Sequence, residues 1–337
     1  MKKPRPDTRS LLSPAPGESL RRARSHLVTA LCALSAVVVL VPLASILLYV
    51  VRRGLPGLSV AFFTHLPKPV GEPGGGMGNA VLGSLILVAT ACLVGLPIGI
   101  GAGLYLAEVG RGRLAKLVRF TADVLGGVPS ITIGVFVYTA VVVTMRRFSA
   151  LAGALALAVV MIPTVTRTSE ELLRLVPVHL REASMGLGVP AWRTTLFIVL
   201  RTAAPAIGTG VMLAIARVAG ETAPLLFTAF NNRHVSVALD QPIASLPVQI
   251  LTYATSPYRE WQDQAWTGAL VLVAMVLFLN LAGRFATARR SPASPGSEGG
   301  TADGVPSSAG PTSLPAQRPA SPPGDAQSTH ENTRISR

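Results

Sequence analysis

The chain has 337 residues; half are hydrophobic, only 14% are charged, and the net charge is +14. A soluble protein of this size carries about 25% charged residues, so the composition excludes an ordinary soluble domain and indicates a membrane protein. The basic residues lie beside long apolar runs and aromatic residues are few, which fits the positive-inside rule rather than a nucleic-acid partner. Membrane lipid is therefore the first partner that the sequence predicts.

Six apolar runs are candidates for membrane-spanning helices, each of which needs about 20 residues. In chain order they are residues 27–51, 79–106, 129–145, 150–165, 202–230 and 264–281. The sequence thus predicts an all-α membrane protein, a six-span helical bundle over residues 27–290. The basic segment 1–26 precedes the bundle, and the Ser-, Pro- and Gly-rich residues 291–337 predict a disordered tail.

Positive charge predicts the orientation of this bundle. Basic residues are concentrated in segments 1–26, 111–119, 167–193 and 284–290, which alternate with less basic connections. The positive-inside rule then places both termini in the cytoplasm, with the basic pairs at 52–53 and 146–147 as exceptions on the outer side.

The connection between the fourth and fifth runs, residues 168–201, predicts a helical cytoplasmic loop. Thr168 and Glu171 have the spacing of a capping box, which predicts the start of a helix. A second short helix is predicted over 178–187, with Gly188 suited to its C-terminal cap. Such a helix can lie in a groove of another protein, and a loop that packs on its own bundle fits the same residues.

This loop resembles the EAA loop of binding-protein-dependent ABC importer permeases. The residues that match its pattern are Glu182, Ala183, Gly188, Ile198 and Leu200. Ser184 and Arg201 depart from it, since the family has Ala and Pro there. The resemblance implies the fold of a type I ABC importer permease and a loop that docks on an ATPase through Glu182, Ala183, Ser184 and Gly188. It places ATP and Mg²⁺ on that separate ATPase and no cofactor on this chain, which has no Walker motif.

Two ionisable residues, Arg217 and Glu221, interrupt the fifth apolar run. Charges inside a span are costly and usually face a protein interior or an aqueous path. Four residues apart, they are predicted to share one helix face, and Pro224 frees a carbonyl beside Glu221 and Thr222. An ion pair that fixes the helix and a binding point on an anion path fit the residues about equally.

Several segments are similar to the A-type permease subunits of phosphate-specific ABC importers. They are residues 74–79 (GGGMGN), 104–108 (LYLAE), 122–130 (ADVLGGVPS), 148–156 (FSALAGALA) and 214–230 (AIARVAGETAPLLFTAF). The resemblance implies a subunit in the bacterial plasma membrane that transports phosphate and is not itself an enzyme. It also implies a second permease subunit, an ATPase dimer and an external phosphate-binding protein as partners, and it assigns Arg217, Glu221 and Thr222 to the substrate path.

Three other functions compete with this one. The first is the same kind of importer acting on another oxyanion or a small solute, and the second is a membrane scaffold for phosphate signalling. The third, an intramembrane enzyme, is disfavoured because the five histidines are scattered and neither a His-Glu-x-x-His nor a Gly-x-Ser-x-Gly motif occurs.

Overall fold

The structure is a computed structural model that describes residues 18–72 and 74–288, and within those ranges it contains helices and no β-strand. The α-helices are α1 (Glu18–Gly54), α2 (Val60–Thr64), α3 (Gly78–Leu104), α4 (Gly112–Gly127), α5 (Ser130–Val137), α6 (Val143–Met145), α7 (Ala150–Arg174), α8 (Val178–Gly186), α9 (Ala191–Arg193), α10 (Leu200–Ala219), α11 (Ala223–Thr228), α12 (Leu246–Ala254) and α13 (Arg259–Ala288). A 3₁₀ turn, Leu55–Gly57, follows α1. Wider π-helical turns extend α3 (Tyr105–Val109), join α5 to α6 (Tyr138–Val142) and join α9 to α10 (Thr194–Val199).

Five helical segments of the described residues are long and apolar enough to cross a membrane: Arg24–Gly57, Gly78–Val109, Ala150–Arg174, Ala191–Ala219 and Arg259–Gly283. The count is six if α4 and the α5–α6 segment, bent by 106° at their junction, form one span. The prediction of an all-α membrane bundle is confirmed. Residues 1–17 of the predicted basic segment and the whole predicted tail, 291–337, lie outside the described residues.

The core of the bundle is the close pair α3 and α7. Gly95, Gly99 and Gly103 lie four residues apart on the face of α3 that meets α7. A Cβ built on Gly99 would come within 2.8 Å of Val165, and one on Gly103 within 2.6 Å of the Ser169 Cβ. Glycine is needed on this face because only its missing side chain lets the two helices approach so closely.

The bundle has two ends. The α8 end contains the last turns of α3 and α7, with α4, α8 and α9. The α12 end contains residues 55–72 and 74–77, α11, α12 and the connection 229–245. Buried polar contacts tie the α12 end together; for example, Ser84 accepts a hydrogen bond from the Leu246 amide at 2.7 Å, and Thr267 donates to the Gly54 carbonyl at 3.2 Å.

Two boundaries differ from those predicted by the sequence. The capping box at Thr168 and Glu171 is wrong as a helix start, because α7 runs unbroken from Ala150 to Arg174 and both residues lie inside it. Residues 111–119, predicted as a loop, lie almost entirely on α4. In α7 the polar residues lie on a helix that continues past the apolar run, and at 112–119 they lie on a separate helix, so hydropathy alone misses both.

Candidate functional site

The fifth predicted span is broken near its end, and the break contains two of the predicted path residues. α10 ends at Ala219, so Arg217 lies in its last turn, whereas Glu221 and Thr222 follow in the connection to α11. The prediction that Arg217 and Glu221 share one helix face is therefore wrong. Pro224 is the second residue of α11, where a helix leaves its amide unbonded in any case, so it does not open the helix as predicted.

Arg217 is exposed on the bundle surface and Glu221 is half-buried. Neither side chain makes an ion pair or a hydrogen bond within residues 18–72 and 74–288. Counted from Ala191, Arg217 lies about 39 Å along the helix at 1.5 Å per residue, which is more than the roughly 30 Å of a bilayer core. Arg217 is thus near the end of the span remote from α8, not midway along it.

Arg217 belongs to an exposed face that runs along the whole of α10. The exposed residues at helical spacing, here called the α10 stripe, are Thr202, Ala206, Thr209, Leu213, Arg217 and Gly220. Apart from Leu213 the stripe consists of small or polar residues, which are typical of helix–helix contacts and aqueous paths rather than of lipid-facing surface. The spacing of three and four residues is visible in the sequence, although the stripe was not among the predicted sites.

The break after α10 is held in place by α5. A Cβ built on Gly134 of α5 would come within 2.6 Å of the Pro224 Cα, so the two backbones touch at the start of α11. Beside them, the Glu221 amide donates to the Val218 carbonyl at 3.1 Å and Thr228 donates to the Pro224 carbonyl at 2.7 Å. The position of Glu221 and Thr222 therefore depends on the contact between α5 and α11.

At the other end, α8 forms the short helix predicted over 178–187, and Gly188 follows it with a positive φ of 80°. Glu182, Ala183 and Gly188 are exposed. Ser184 differs from them: it is buried, and its hydroxyl lies 2.8 Å from the hydroxyl of Thr194. Three of the four predicted docking residues therefore face outward, while the fourth joins α8 to the turn that leads into α10.

An arginine that the sequence analysis did not select joins α8 to the rest of the bundle. Arg181 Nη2 lies 2.6 Å from Glu108 Oε1, and Arg181 Nε donates to the same carboxylate at 3.2 Å. The guanidinium also donates to the carbonyls of Val176 at 2.6 Å and Leu173 at 3.0 Å. Arg181 therefore contacts the extension of α3 and two carbonyls at the end of α7, one in its last turn and one just after it.

A second charged cluster stabilises the same end. Glu170 on α7 is only 2% exposed and accepts contacts from Arg119 and Arg174, each at 2.6 Å, and from Arg167 at 3.2 Å. Arg167 also pairs with Asp123 of α4, so the cluster ties α4 to α7. Since Arg119 is distant in sequence, no local pattern could have identified Glu170 as buried.

A cavity of about 630 Å³ opens between α3, α8 and α9. Its wall is mainly apolar, and its charged residues are Glu108, Arg111 and Arg181. No group of three or more His, Cys, Asp or Glu residues suited to a metal occurs in the described part of the chain.

Comparisons with known proteins agree with this architecture. Residues 95–292 match the family described as binding-protein-dependent transport system inner membrane component. In a solved inward-facing structure of the MetNI methionine ABC transporter, one chain matches with a TM-score of 0.54 at 18% identity, covering 64% of this chain and 98% of that chain. At this identity the likeness concerns the fold alone, and it confirms the predicted importer-permease architecture.

Curated relatives match over most of their length. A phosphate transport system permease protein PstA of Yersinia pestis is 48% identical over 246 residues, which is 73% of this chain and 83% of the relative. A PstA protein of Haemophilus influenzae is 45% identical, over 77% of this chain and 93% of the relative. A PstA 1 protein of Mycobacterium tuberculosis is 39% identical, over 80% and 91% respectively.

Proposed function

Because this chain belongs to the binding-protein-dependent inner membrane components, and within them to the PstA phosphate transport permeases, we propose that it forms one half of a membrane path for inorganic phosphate. The observation that carries this proposal is identity of 45–48% to permeases named for phosphate transport over more than 80% of their length. In this family the permease is a transport subunit, and ATP hydrolysis belongs to a separate subunit.

The path lies along the α10 stripe, at the surface where a second, PstC-like permease subunit packs. This placement accounts for a face of small and polar residues on a helix that is long and apolar enough to cross a membrane. Arg217 holds the phosphate oxygens by charge-assisted hydrogen bonds. Glu221, close by in sequence, weakens that hold, so that release remains possible. Its carboxylate accepts a hydrogen bond from the protonated oxygen of hydrogen phosphate, whereas sulfate, which lacks that proton, is repelled.

The α8 end is cytoplasmic, consistent with the arginines concentrated there, and both termini lie on that side of the bacterial plasma membrane. Glu182, Ala183 and Gly188 on the exposed side of α8 dock on a PstB-like ATPase dimer, which holds the ATP and Mg²⁺. A PstS-like phosphate-binding protein delivers phosphate at the α12 end. ATP-driven closure of the ATPase dimer displaces α8 and opens the path outward, and hydrolysis resets it.

The test is uptake of labelled phosphate by vesicles that contain the complete complex, with and without ATP. In the Arg217→Gln variant we expect uptake to fall by about tenfold or more, since a hydrogen bond to a charged group contributes about 1.5–3 kcal/mol. Arg217→Lys keeps the charge without the planar guanidinium and should retain intermediate uptake. Unchanged uptake in Arg217→Gln at normal membrane levels would contradict the role of this residue.

Substrate identity is tested in the same vesicles. Excess unlabelled phosphate should compete with the label, whereas excess sulfate should not. If the complex instead takes up another oxyanion or a small organic solute when ATP is present, this chain is still a transport subunit, but phosphate is not its substrate. If disrupting residues 182–188 alters only a phosphate-dependent signal while uptake survives, the scaffold alternative is favoured.

A further inference from the structure

Arg181 is the polar link between α8 and α3. All hydrogen bonds from α8 to the extended α3, Gly78–Val109, that the described residues contain come from this guanidinium. Apolar packing of α8 is limited: Val178 and Met185 are 62% and 49% exposed, and only the half-buried Leu180 packs against the core. The direct polar contact between α8 and α3 therefore depends on one side chain.

The geometry of this link is rigid. Nε and Nη2 of Arg181 both donate to the Glu108 carboxylate. Paired hydrogen bonds of this kind fix the orientation of the two side chains as well as the distance between them. The side chains of Arg181 and Glu108 are only 18% and 11% exposed, so water and salt screen their attraction less than on an open surface. The two carbonyls that Arg181 also contacts use further guanidinium protons.

Glu108 lies on the π-helical turn that extends α3. Beyond that turn, α3 packs along α7 through Gly95, Gly99 and Gly103. A displacement applied at Glu108 therefore acts on the central helix pair of the bundle, while the Ser184–Thr194 hydrogen bond connects α8 separately to α10.

We propose that Arg181 is a positioning residue whose ion pair with Glu108 makes α8 and the end of α3 move together, so that displacement of α8 is transmitted to the core of the bundle. This rests on the proposed function, in which a partner ATPase moves α8. A purely stabilising ion pair would change how much complex forms, whereas a transmitting one changes how much phosphate moves for each ATP hydrolysed.

The experiment measures the ratio of phosphate transported to ATP hydrolysed in vesicles that contain the complete complex and the phosphate-binding protein. The variants are Glu108→Gln, which removes the charge, and Glu108→Asp, which keeps it and leaves Arg181 in place against the carbonyls of Val176 and Leu173. Asp123→Asn is the matched control, because it breaks an ion pair between α4 and α7 at the same end without reaching α8. Co-purification of the ATPase subunit reports assembly in every variant.

We expect Glu108→Gln to assemble and to lower the ratio about fivefold, within the range by which residues between two sites change coupling. Glu108→Asp should retain at least half of the wild-type ratio, and Asp123→Asn should match the wild type. An unchanged ratio in Glu108→Gln, or an equal loss in Asp123→Asn or in an assembled Glu108→Asp, would overturn the proposal. If Glu108→Gln does not assemble, Arg181→Lys takes its place, because it keeps the charge but not the paired hydrogen bonds to Glu108. An unchanged ratio in Arg181→Lys, or its failure to assemble, then overturns the proposal.

Failure of the proposed function has a different signature. If the wild-type complex takes up no phosphate with ATP, the phosphate assignment is wrong whatever the variants do. The effect of Glu108→Gln on ATP hydrolysis stimulated by the binding protein then decides whether the ion pair transmits movement: a loss of stimulation supports transmission, and unchanged stimulation overturns it.

Discussion

Glu170 shows how one buried carboxylate can organise an end of this bundle. Three arginines, from α4 and from neighbouring turns of α7, converge on a side chain that is 2% exposed. A buried charge is tolerated only when it is paired, and removing one member of such a group leaves the others without compensation. The arginines on α4 and α7 therefore depend on Glu170 for their placement.

We predict that Glu170→Gln destabilises the protein by about 3 kcal/mol, the lower part of the range for breaking a buried ion pair. Glu171→Gln is the control, because Glu171 is the next residue but exposed, and it should change stability by less than about 0.5 kcal/mol. Thermal unfolding of the purified complex in detergent measures both. Equal unfolding temperatures in the two variants would contradict the role of Glu170.

Among the helices, the contact of α5 with α11 is the one on which the path residues depend. A Cβ on Gly134 meets backbone atoms of Pro224, including the Cα at 2.6 Å, so Gly134→Ala forces α11 to move. We expect a cost of about 1–3 kcal/mol, as for other overpacked sites, and lower phosphate uptake because Glu221 and Thr222 move with α11.

Gly101→Ala is the matched control for this substitution. Gly101 lies on α3, and a Cβ built on it meets nothing within 4 Å. Exchanging a helical glycine for alanine in open space should leave stability unchanged or improve it. Uptake in vesicles with the assembled complex compares the two variants, and normal uptake in Gly134→Ala would show that the α5–α11 contact does not position the path.

The helices also show what the sequence can and cannot predict. The apolar runs located the long helices, because crossing a membrane requires continuous apolar residues, and Gly188 marked the end of α8 because its positive φ favours glycine. Hydropathy merged α10 with α11, since the break at Gly220–Thr222 is too short to lower a window average. The Arg181–Glu108 pair spans 73 residues, and such long-range pairing leaves no local pattern.

At the scale of the whole molecule, the α10 stripe supports the proposal that a second permease subunit packs against this chain. Five of its six members are small or polar, yet the helix on which they lie is long and apolar enough to cross a membrane. Small and polar side chains are typical of helix–helix contacts and aqueous paths, and a water-lined path between two subunits accounts for them and for the exposed Arg217. We therefore expect the stripe to be accessible to water in the assembled complex.

Cysteine labelling checks this prediction in a chain whose two native cysteines, Cys32 and Cys92, are replaced by serine. Thr209→Cys on the stripe should react with a small charged thiol reagent, and the rate should change when ATP is bound, because alternating access opens the path to one side at a time. Leu277→Cys on α13 is the control: Leu277 is 65% exposed but lies on an apolar surface, where lipid excludes the charged reagent. If both cysteines are labelled at the same rate and ATP changes neither rate, the stripe faces lipid and the path does not lie along α10.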